Sequence, residues 1–518
     1  MRTALCDIVL EQAVAAPAAR AVTYQDASLS YAELADEVHR FGTGLLDLGI
    51  TRGDRIAVYL EKRIETVVAI FGASAAAAAF VPINPVLKPR QVAFILRDSA
   101  AAVLVTSRAR LKGLQEHGED LSTLRRVILV DDDAEETPTT APWHALGRSR
   151  GGTPARTIDA DLGAILYTSG STGTPKGVAL THRNLLVGAE SVNAYLPNTP
   201  DDVILAVLPL SFDAGLSQLT TGFDAGAHVV LMNYLLPRDV MRLCERHGVT
   251  AMTCVPPLWI QLADQDWGER GSTVRYFANT GGRMPRVTLD RLRHHFSRAT
   301  PYLMYGLTEA FRSTYLDPAQ VDTRPDSIGK AIPNADVLVV RPDGSPCAPG
   351  EQGELVHRGA LVARGYWNDP ERTAERFRPF PSGREGWASP EIAVWSGDLA
   401  YSDEEGFLYF VGRADDMIKT SGYRVSPTEV EECAMSTGLV RDAVAIGVED
   451  PVLGQRIELV VAGSGGPVDA DGLLATLRRE LPSYMVPARI DVRDEIPRGA
   501  NGKYDRAVLR AELSEVRS

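Results

Sequence analysis

Short apolar runs separated by amphipathic stretches are the feature that most limits the folds open to this chain. Apolar runs with the length of buried strands occur at residues 56–60, 102–106, 126–130, 164–167, 203–208 and 228–232. The segments between them have helical periodicity, as in residues 31–48. This alternation predicts an α/β fold in which helices cover layered, largely parallel sheets.

The pattern changes near residue 400 and indicates a second domain. Residues 401–412 predict a hairpin with Glu-Glu-Gly at its turn, and a charged stretch from Arg413 to Asp416 follows. Helices are then predicted at 427–436 and 469–481, with strands at 443–448 and 457–462. We expect a large N-terminal domain of layered sheets and helices at residues 1–414. A small mobile α+β C-terminal domain is expected at residues 415–518.

Charge and cysteine content argue against several classes of protein. The net charge of −13 does not favour binding to duplex nucleic acid. The five cysteines are scattered and form no CxxC pair, which argues against a disulfide framework or a zinc site. The N-terminus lacks the layout of a signal peptide, and the alanine-rich run at 73–80 is too short to span a bilayer. We therefore expect a cytoplasmic protein that binds neither nucleic acid nor membrane.

A run of small residues follows the apolar stretch that ends at Tyr167, and its sequence is YTSGSTGTPKG. Glycines let the backbone approach a phosphate, N–H and O–H groups hold its oxygens, and a lysine adds a mobile positive charge. The spacing is not that of a Walker A loop. A flexible linker is the alternative, but a buried strand precedes this loop. We predict a phosphate-binding loop formed by Thr168, Ser169, Gly170, Ser171, Thr172, Gly173 and Lys176.

This loop closely resembles the phosphate loop of the adenylate-forming superfamily, which includes acyl-CoA synthetases, adenylation domains of nonribosomal peptide synthetases and firefly luciferase. Further segments match that family in the same order along nearly the whole chain. They are NTGG at 279–282, YGLTE at 305–309, ARGYWNDP at 363–370, SGD at 396–398, GR at 412–413 and PRGANGKYDR at 497–506. Each match is moderately specific alone, and together they are very specific.

The resemblance implies an AMP-forming acid–thiol or acid–amine ligase that uses ATP and Mg²⁺. The implied catalytic residues are Lys503, Thr308 and Glu309, with Glu309 as the Mg²⁺ ligand, a role that suits a carboxylate oxygen. The other implied nucleotide-binding residues are Gly281, Gly282, Tyr305, which would stack on adenine, and Asp398 and Arg413, which would bind the ribose. The implied hinge is Asp415, and Gly422 would line the acceptor tunnel. The ARGYWNDP segment is expected to be largely structural.

The segment VLPLSFDAGLS at 207–217 bears on the substrate. Many acyl-CoA synthetases carry a histidine here, whereas peptide-synthetase adenylation domains carry Phe-Asp, with the aspartate paired to the substrate ammonium. This chain has Phe212-Asp213, so we expect an amino acid substrate. The alternative is that Asp213 only caps the helix that follows. The match weakens after Ala214, where Gly215 and Ser217 replace commoner residues.

The same resemblance maps an acyl pocket, whose predicted lining consists of Asp213, Ser217, Cys254, Ala278, Thr280, Met304, Arg312 and Ser313. Met304 is large where many relatives have alanine or glycine, which favours a small amino acid such as alanine, glycine or serine. Two alternatives stay open for Arg312, which either pairs with a substrate carboxylate or points to solvent.

The chain has no recognisable carrier-protein motif, so we expect aminoacyl transfer to a carrier protein supplied in trans. A stretch rich in arginine is a possible docking face for an acidic carrier, and it contains Arg283, Arg286, Arg291, Arg293 and Arg298. An ordinary exposed helix is the alternative. An acyl-CoA synthetase for a non-amino carboxylic acid, or transfer to an amine, is also open. A non-catalytic nucleotide-binding relative is disfavoured, because Lys503, Glu309 and the full phosphate loop are present.

Overall fold

The computed structural model of the chain describes most of its length. The described residues are 1–119, 121–131, 133, 135–147, 156–168, 175–380, 391–413, 416–420, 423–450, 453–463, 466–481, 483–499 and 502–515. Among these residues, no helix is long and apolar enough to cross a membrane.

The first half of the chain alternates helices and strands. Its elements are α1 (Asp7–Ala15), β1 (Arg20–Tyr24), β2 (Ala27–Ser30), α2 (Tyr31–Asp47), β3 (Arg55–Tyr59), α3 (Ile64–Ala75), β4 (Ala79–Pro82), α4 (Pro89–Asp98), β5 (Val103–Thr106), α5 (Arg108–Glu116), β6 (Arg126–Leu129), β7 (Thr140–Pro142), β8 (Leu162–Thr168), β9 (Lys176–Thr181), α6 (His182–Asn193), β10 (Val203–Ala206), α7 (Asp213–Asp224), β11 (His228–Leu231), α8 (Pro237–His247), β12 (Ala251–Cys254) and α9 (Pro256–Ala263).

The second half contains more strands than helices. Its elements are β13 (Tyr276–Asn279), α10 (Arg286–His295), β14 (Thr300–Tyr305), β15 (Thr314–Leu316), β16 (Lys330–Ala331), β17 (Ala335–Val340), β18 (Gly353–Gly359), α11 (Pro370–Arg376), β19 (Phe377–Pro379), β20 (Ile392–Ser402), β21 (Leu408–Arg413), β22 (Ile418–Thr420), β23 (Tyr423–Val425), α12 (Pro427–Ser436), β24 (Asp442–Asp450), β25 (Gly454–Ala462), α13 (Ala470–Glu480), β26 (Arg489–Arg493) and α14 (Arg506–Glu515).

Two mainly parallel sheets form the body of the N-terminal part. One has seven strands in the order β7-β6-β5-β3-β4-β8-β9, and the other has nine in the order β16-β15-β14-β13-β12-β10-β11-β1-β2. All six apolar runs identified in the sequence are strands of these sheets, and the helix predicted at 31–48 is α2. The prediction of layered α/β architecture is confirmed.

The two faces of each sheet pack against different helices. In β3, Ile56 and Val58 belong to the largest core cluster, which also contains α2, α3, α6 and α7 and strands of both sheets. Ala57, between them, packs in a separate cluster with α4 and α5. In the nine-stranded sheet, Leu205 packs in a cluster with α8, α9 and α10. Because side chains alternate along a strand, the central helices lie between the sheets and the other helices cover their outer faces.

A third sheet departs from the predicted parallel arrangement. Strands β17, β18, β20, β19 and β21 form a five-stranded sheet in which every pairing is antiparallel. Its strands follow one another mostly through turns, and antiparallel strands need no helical crossover. The expectation of largely parallel sheets was therefore wrong for residues 335–413. The hairpin predicted at 401–412 is confirmed, since β20 and β21 pair through Ser402 and Leu408.

The C-terminal part has its own sheet and core. Strands β22–β26 form a five-stranded sheet on which α12 and α13 pack on one face and α14 on the other. The helices and strands predicted for this region match α12, α13, β24 and β25, so the small α+β domain is confirmed. The boundary at residue 415 stays a prediction, because residues 414 and 415 lie outside the described ones.

A close backbone approach fixes the start of α7. The loop between β10 and α7 folds back on the first turn of the helix, and a Cβ on Gly215 would lie 2.0 Å from the carbonyl oxygen of Pro209 and 2.9 Å from that of Leu208. A heavy-atom contact of that length does not occur, so only glycine fits here. The departure from the peptide-synthetase pattern at Gly215 therefore reflects the tight loop that precedes Asp213.

We expect Gly215→Ala to reduce the free energy of unfolding by about 2 kcal/mol, because the added methyl group forces the loop away from α7. Urea unfolding monitored by circular dichroism measures the change. Gly113→Ala is the matched control, since Gly113 lies in α5 and a Cβ there meets nothing within 4 Å. Equal stability of the two variants would contradict the steric explanation.

Candidate active site

The predicted phosphate loop connects two antiparallel strands. Strand β8 ends at Thr168 and β9 begins at Lys176, and these two residues are register partners. The loop residues Ser169, Gly170, Ser171, Thr172 and Gly173 lie outside the described part of the chain, so their roles stay predictions. The strand pairing fixes the backbone of Lys176 at the edge of the seven-stranded sheet.

Lys176, Glu309 and Tyr366 form a closed triangle of hydrogen bonds. The Lys176 ammonium donates to Oε1 of Glu309 at 2.8 Å and to the Tyr366 hydroxyl oxygen at 2.8 Å. The Tyr366 hydroxyl donates to the same Glu309 oxygen at 2.6 Å. Glu309 lies in a short 3-10 turn directly after β14. The triangle therefore links the edge strand β9 of the seven-stranded sheet to the segment that follows β14 of the nine-stranded sheet.

The environment of Glu309 fits a magnesium ligand. Burial opposes its ionisation, but the Lys176 charge and the hydrogen bonds from Lys176 and Tyr366 outweigh burial and lower the pKa of Glu309 below its ordinary value. No group of three or more His, Cys, Asp or Glu side chains that would bind a metal occurs among the described residues. Mg²⁺ commonly binds through one carboxylate together with nucleotide phosphates, whose charge it then neutralises.

The residues predicted to bind the nucleoside lie close together. Asp398 in β20 accepts a hydrogen bond from the Tyr305 hydroxyl, and its other oxygen lies 3.3 Å from Nη1 of Arg413, its register partner in β21. Burial, followed by the Asp398 charge, raises the pKa of Tyr305 well above its ordinary value. The ring of His357 stacks on Tyr305 at 6.0 Å, and burial lowers the pKa of His357 to about 3. This histidine is therefore neutral and was not identified from the sequence.

Lys503 reaches the nucleotide-binding segment from the C-terminal domain. It ends a turn in which its carbonyl oxygen accepts a hydrogen bond from the Gly499 N–H at 2.8 Å, and its side chain is exposed. Its Cε lies 3.9 Å from the position that a Cβ on Gly281 would occupy, and Gly281 has φ of 76°. A side chain at Gly281 would be strained, and its Cβ would lie 3.2 Å from Val255 and in van der Waals contact with the lysine. The adjoining Gly282 carbonyl accepts from the Asn279 amide at 2.8 Å.

Asp213 points into the predicted acyl pocket. Its Oδ1 accepts from the Thr308 hydroxyl at 3.3 Å, and its Oδ2 lies 3.2 Å from Nη1 of Arg312. The same Arg312 nitrogen donates to Oγ1 of Thr280 at 3.3 Å. The N-cap of α7 is Phe212, and no side-chain hydrogen bond caps the helix, so the helix-cap alternative for Asp213 is wrong. The alternative in which Arg312 points to solvent is also wrong, because only 3% of this residue is exposed.

The remaining residues of the predicted pocket are buried. Apart from those already described they are Ser217, Cys254, Ala278, Met304 and Ser313. The Met304 sulfur accepts a hydrogen bond from the Tyr195 hydroxyl at 3.1 Å, and the Tyr195 ring stacks on Tyr315 at 4.2 Å. These contacts hold the Met304 side chain in place at the predicted acyl pocket.

Sequence reasoning missed Lys62 altogether. Its ammonium donates to the carbonyl oxygens of Val207 and Leu208, the latter at 3.0 Å, at the start of the loop that leads to Asp213. Burial, partly offset by Cys254, lowers the pKa of Lys62 to about 7. A single lysine after a predicted strand carries no sequence signal that distinguishes it from an exposed one. Tyr366 was noticed, but only as part of a structural segment.

The predicted basic face is largely neutralised by neighbouring acids. Four of its arginines form ion pairs, namely Arg283 and Arg286 with Asp326, Arg291 with Asp264 and Arg293 with Asp322. Arg283 also pairs with Glu432 of the C-terminal domain. Docking of an acidic carrier at these arginines and Arg298 stays a prediction, and it would have to compete with these pairs. Asp415 and Gly422, the predicted hinge and tunnel residues, lie outside the described part of the chain.

Comparison with known proteins agrees with this arrangement. Residues 9–367 match the family of AMP-binding enzymes, and residues 429–503 match the AMP-binding enzyme C-terminal domain. Feruloyl-CoA synthase of an Amycolatopsis species is 32% identical over 510 residues, which cover 96% of both chains. One of the linear gramicidin synthase proteins of Brevibacillus parabrevis is 31% identical over 97% of this chain, but the match spans only 6% of that protein.

The fold is also that of a solved family member. The structure of o-succinylbenzoate coenzyme A synthetase of Bacillus subtilis with ATP and magnesium superposes with a TM-score of 0.82 and 27% identity over 98% of both chains. The chain therefore belongs to the AMP-binding enzyme family, the adenylate-forming ligases, whose members use ATP with Mg²⁺.

We expect Tyr366→Phe to lower kcat/KM for Mg-ATP about tenfold, since it removes a hydrogen bond to a charged group. It should also raise the pKa of Glu309, so the acid limb of the pH–rate profile should move to higher pH. ATP–pyrophosphate exchange as a function of pH and magnesium measures both effects. Tyr401→Phe is the control, because the Tyr401 ring stacks on Tyr409 outside the site. An unchanged acid limb would contradict the assigned role.

We expect Lys503→Met to reduce the exchange rate by roughly 10²–10³-fold, because it removes a positive charge where two anions meet. The melting temperature should not change, since the lysine side chain is exposed. Lys112→Met, which removes an exposed lysine from α5, is the control for charge. Full activity of the Lys503 variant would rule out its assignment as the catalytic lysine.

Proposed function

We propose that the protein uses ATP to convert a small amino acid into an aminoacyl-AMP and pyrophosphate, and then transfers the aminoacyl group to the phosphopantetheine thiol of a carrier protein supplied in trans. The observation that carries the proposal is the Asp213 carboxylate, which faces the pocket and makes no helix cap. A carboxylate at this position supplies the partner that a substrate ammonium needs in a buried site.

The first half-reaction joins two anions, the substrate carboxylate and the α-phosphate of ATP. Two like charges 4 Å apart repel by about 4 kcal/mol at an effective dielectric constant near 20. Lys503 is suited to neutralise this repulsion, and Lys176 is suited to hold the leaving pyrophosphate. The carboxylate oxygen attacks the α-phosphorus while the bond to the β-phosphate oxygen breaks, so the enzyme needs no covalent intermediate of its own.

The second half-reaction requires that an acceptor reach the acyl carbon. In the proposed cycle the C-terminal domain rotates, which removes Lys503 from the site and brings the loop at 419–423 towards it. Similarity to a linear gramicidin synthase protein supports a carrier thiol as the acceptor.

A second candidate is an acyl-CoA synthetase for a carboxylic acid without an amino group. Two observations favour it: Asp213 already has Arg312 as a partner, and the similarity to feruloyl-CoA synthase extends over both whole chains. In this case the Asp213–Arg312 pair would be a neutral wall of the pocket.

The test is ATP–pyrophosphate exchange with the twenty common amino acids, β-amino acids and a set of plain carboxylates, using the wild-type protein and Asp213→Asn. We expect exchange with an amino acid, and a loss of at least about 100-fold in the variant, because the ammonium loses its charged partner. Asp239→Asn is the matched control, since Asp239 lies in the first turn of α8. Exchange with plain carboxylates alone, insensitive to Asp213→Asn, would establish the second candidate instead.

A further inference from the structure

Arg312 is buried, and its guanidinium has more hydrogen-bond donors than the surrounding residues accept. Only 3% of Arg312 is exposed, and its hydrogen bonds to Asp213 and Thr280 both come from one nitrogen, Nη1. Its Nε is buried and has no hydrogen-bond partner within the part of the chain that the structure describes. A guanidinium carries five N–H donors, and leaving one of them buried and unpaired is costly. The arrangement therefore leaves a buried donor available to a further ligand.

The next residue adds a second unused polar group. Ser313 is 1% exposed, and its Oγ is also buried without a partner among the described residues. The backbone that delivers both side chains turns sharply at Phe311, which has φ of 53° and ψ of −52° and a fully buried ring. A non-glycine residue in this conformation persists only where packing enforces it. The segment thus holds Arg312 inside the pocket at an energetic cost.

The charges in the pocket restrict which substrate fits. Lys176 and Glu309 neutralise each other, and so do Arg312 and Asp213. An ammonium that binds Asp213 would leave the Arg312 guanidinium without its anion in a buried place, which is strongly unfavourable. Tyr195 lies close enough to Arg312 to feel its charge, but burial raises the pKa of Tyr195 above its ordinary value, so it supplies no anion. A substrate ammonium that binds Asp213 therefore requires that the same substrate bring a second anion for Arg312, besides the carboxylate that is adenylated.

Resting on the proposed function, we propose that the substrate is an amino dicarboxylic acid, whose ammonium binds Asp213 and whose second carboxylate binds the Arg312 guanidinium. The charges then alternate between protein and substrate, and each buried ion has a partner. Arginine presents paired donors that match a carboxylate geometrically. The buried Ser313 hydroxyl is a further donor in the same segment.

The chemistry balances with ATP as the only co-reactant. One carboxylate is adenylated and displaces pyrophosphate, and the second carboxylate remains ionised throughout. Met304, which contacts the Tyr195 hydroxyl, is bulky and favours the shorter of these acids, of the size of aspartate.

The experiment compares each dicarboxylate with its neutral amide in ATP–pyrophosphate exchange. The probes are both enantiomers of aspartate and glutamate, against the matching enantiomers of asparagine and glutamine, and alanine. We expect at least one dicarboxylate to exceed its amide and alanine by roughly 100-fold in kcat/KM, because a site built for a charged partner rejects its neutral analogue. This ratio is measured on the wild-type protein and needs no variant.

Variants of Arg312 then assign the selectivity to this residue. Arg312→Met should reduce the dicarboxylate-to-amide ratio to near one, and Arg312→Lys should retain part of it because the charge remains. The control is Arg246→Met, since Arg246 is exposed and pairs with Asp26 on the surface. Thermal unfolding of each variant verifies that it folds.

The outcomes separate this inference from the proposed function. Alanine or another neutral amino acid as the best substrate would overturn the inference and leave amino acid adenylation standing. The same holds if no dicarboxylate supports exchange, or if folded Arg312→Met keeps the wild-type ratio. Exchange only with carboxylates that lack an amino group would overturn both.

Discussion

The ion pair between Lys176 and Glu309 connects the two parallel sheets at the nucleotide end of the site. Lys176 begins a strand of one sheet, whereas Glu309 follows a strand of the other, so this 2.8 Å contact links the two sheets beyond the core that packs between them. Because both groups are largely buried, neither tolerates the loss of its partner. The Tyr366 hydroxyl completes this contact, and backbone hydrogen bonds of Arg364 and Trp367 to strand β9 hold its segment in place.

A second buried ion pair, between Asp213 and Arg312, lies on the predicted acyl side of the site. Asp213 and Arg312 approach from elements distant in sequence, and each satisfies the other in a place that water does not reach freely. A substrate enters this site by exchanging partners with the pair or by leaving it untouched. Under the proposed function, recognition would depend on matched charge as well as on shape, and would distinguish amino acids, dicarboxylates and uncharged acids from one another.

Much of the fold followed from the sequence because burial in a strand leaves a plain apolar signature. Of the antiparallel sheet at 335–413 only the hairpin at 401–412 was predicted, because β17 is mostly only partly buried and β18 carries polar residues among its apolar ones. The match to an ordered set of motifs located Lys176, Glu309 and Lys503, but motif spacing says nothing about side-chain partners. The Asp213–Arg312 pair joins residues 99 positions apart. The hydrogen-bond partners of Lys62 and Tyr366 depend on their burial, which is known only once the chain is packed.

One guanidinium at the domain boundary has an asymmetric consequence. Arg283 pairs with Asp326 on its own domain and with Glu432 on the C-terminal domain. In the domain rotation proposed above, Arg283 would keep one of its two anions, whereas Glu432 would return to water and regain its hydration. Neither group would be left as an unpaired buried ion, so this contact can break and re-form without stranding a charge.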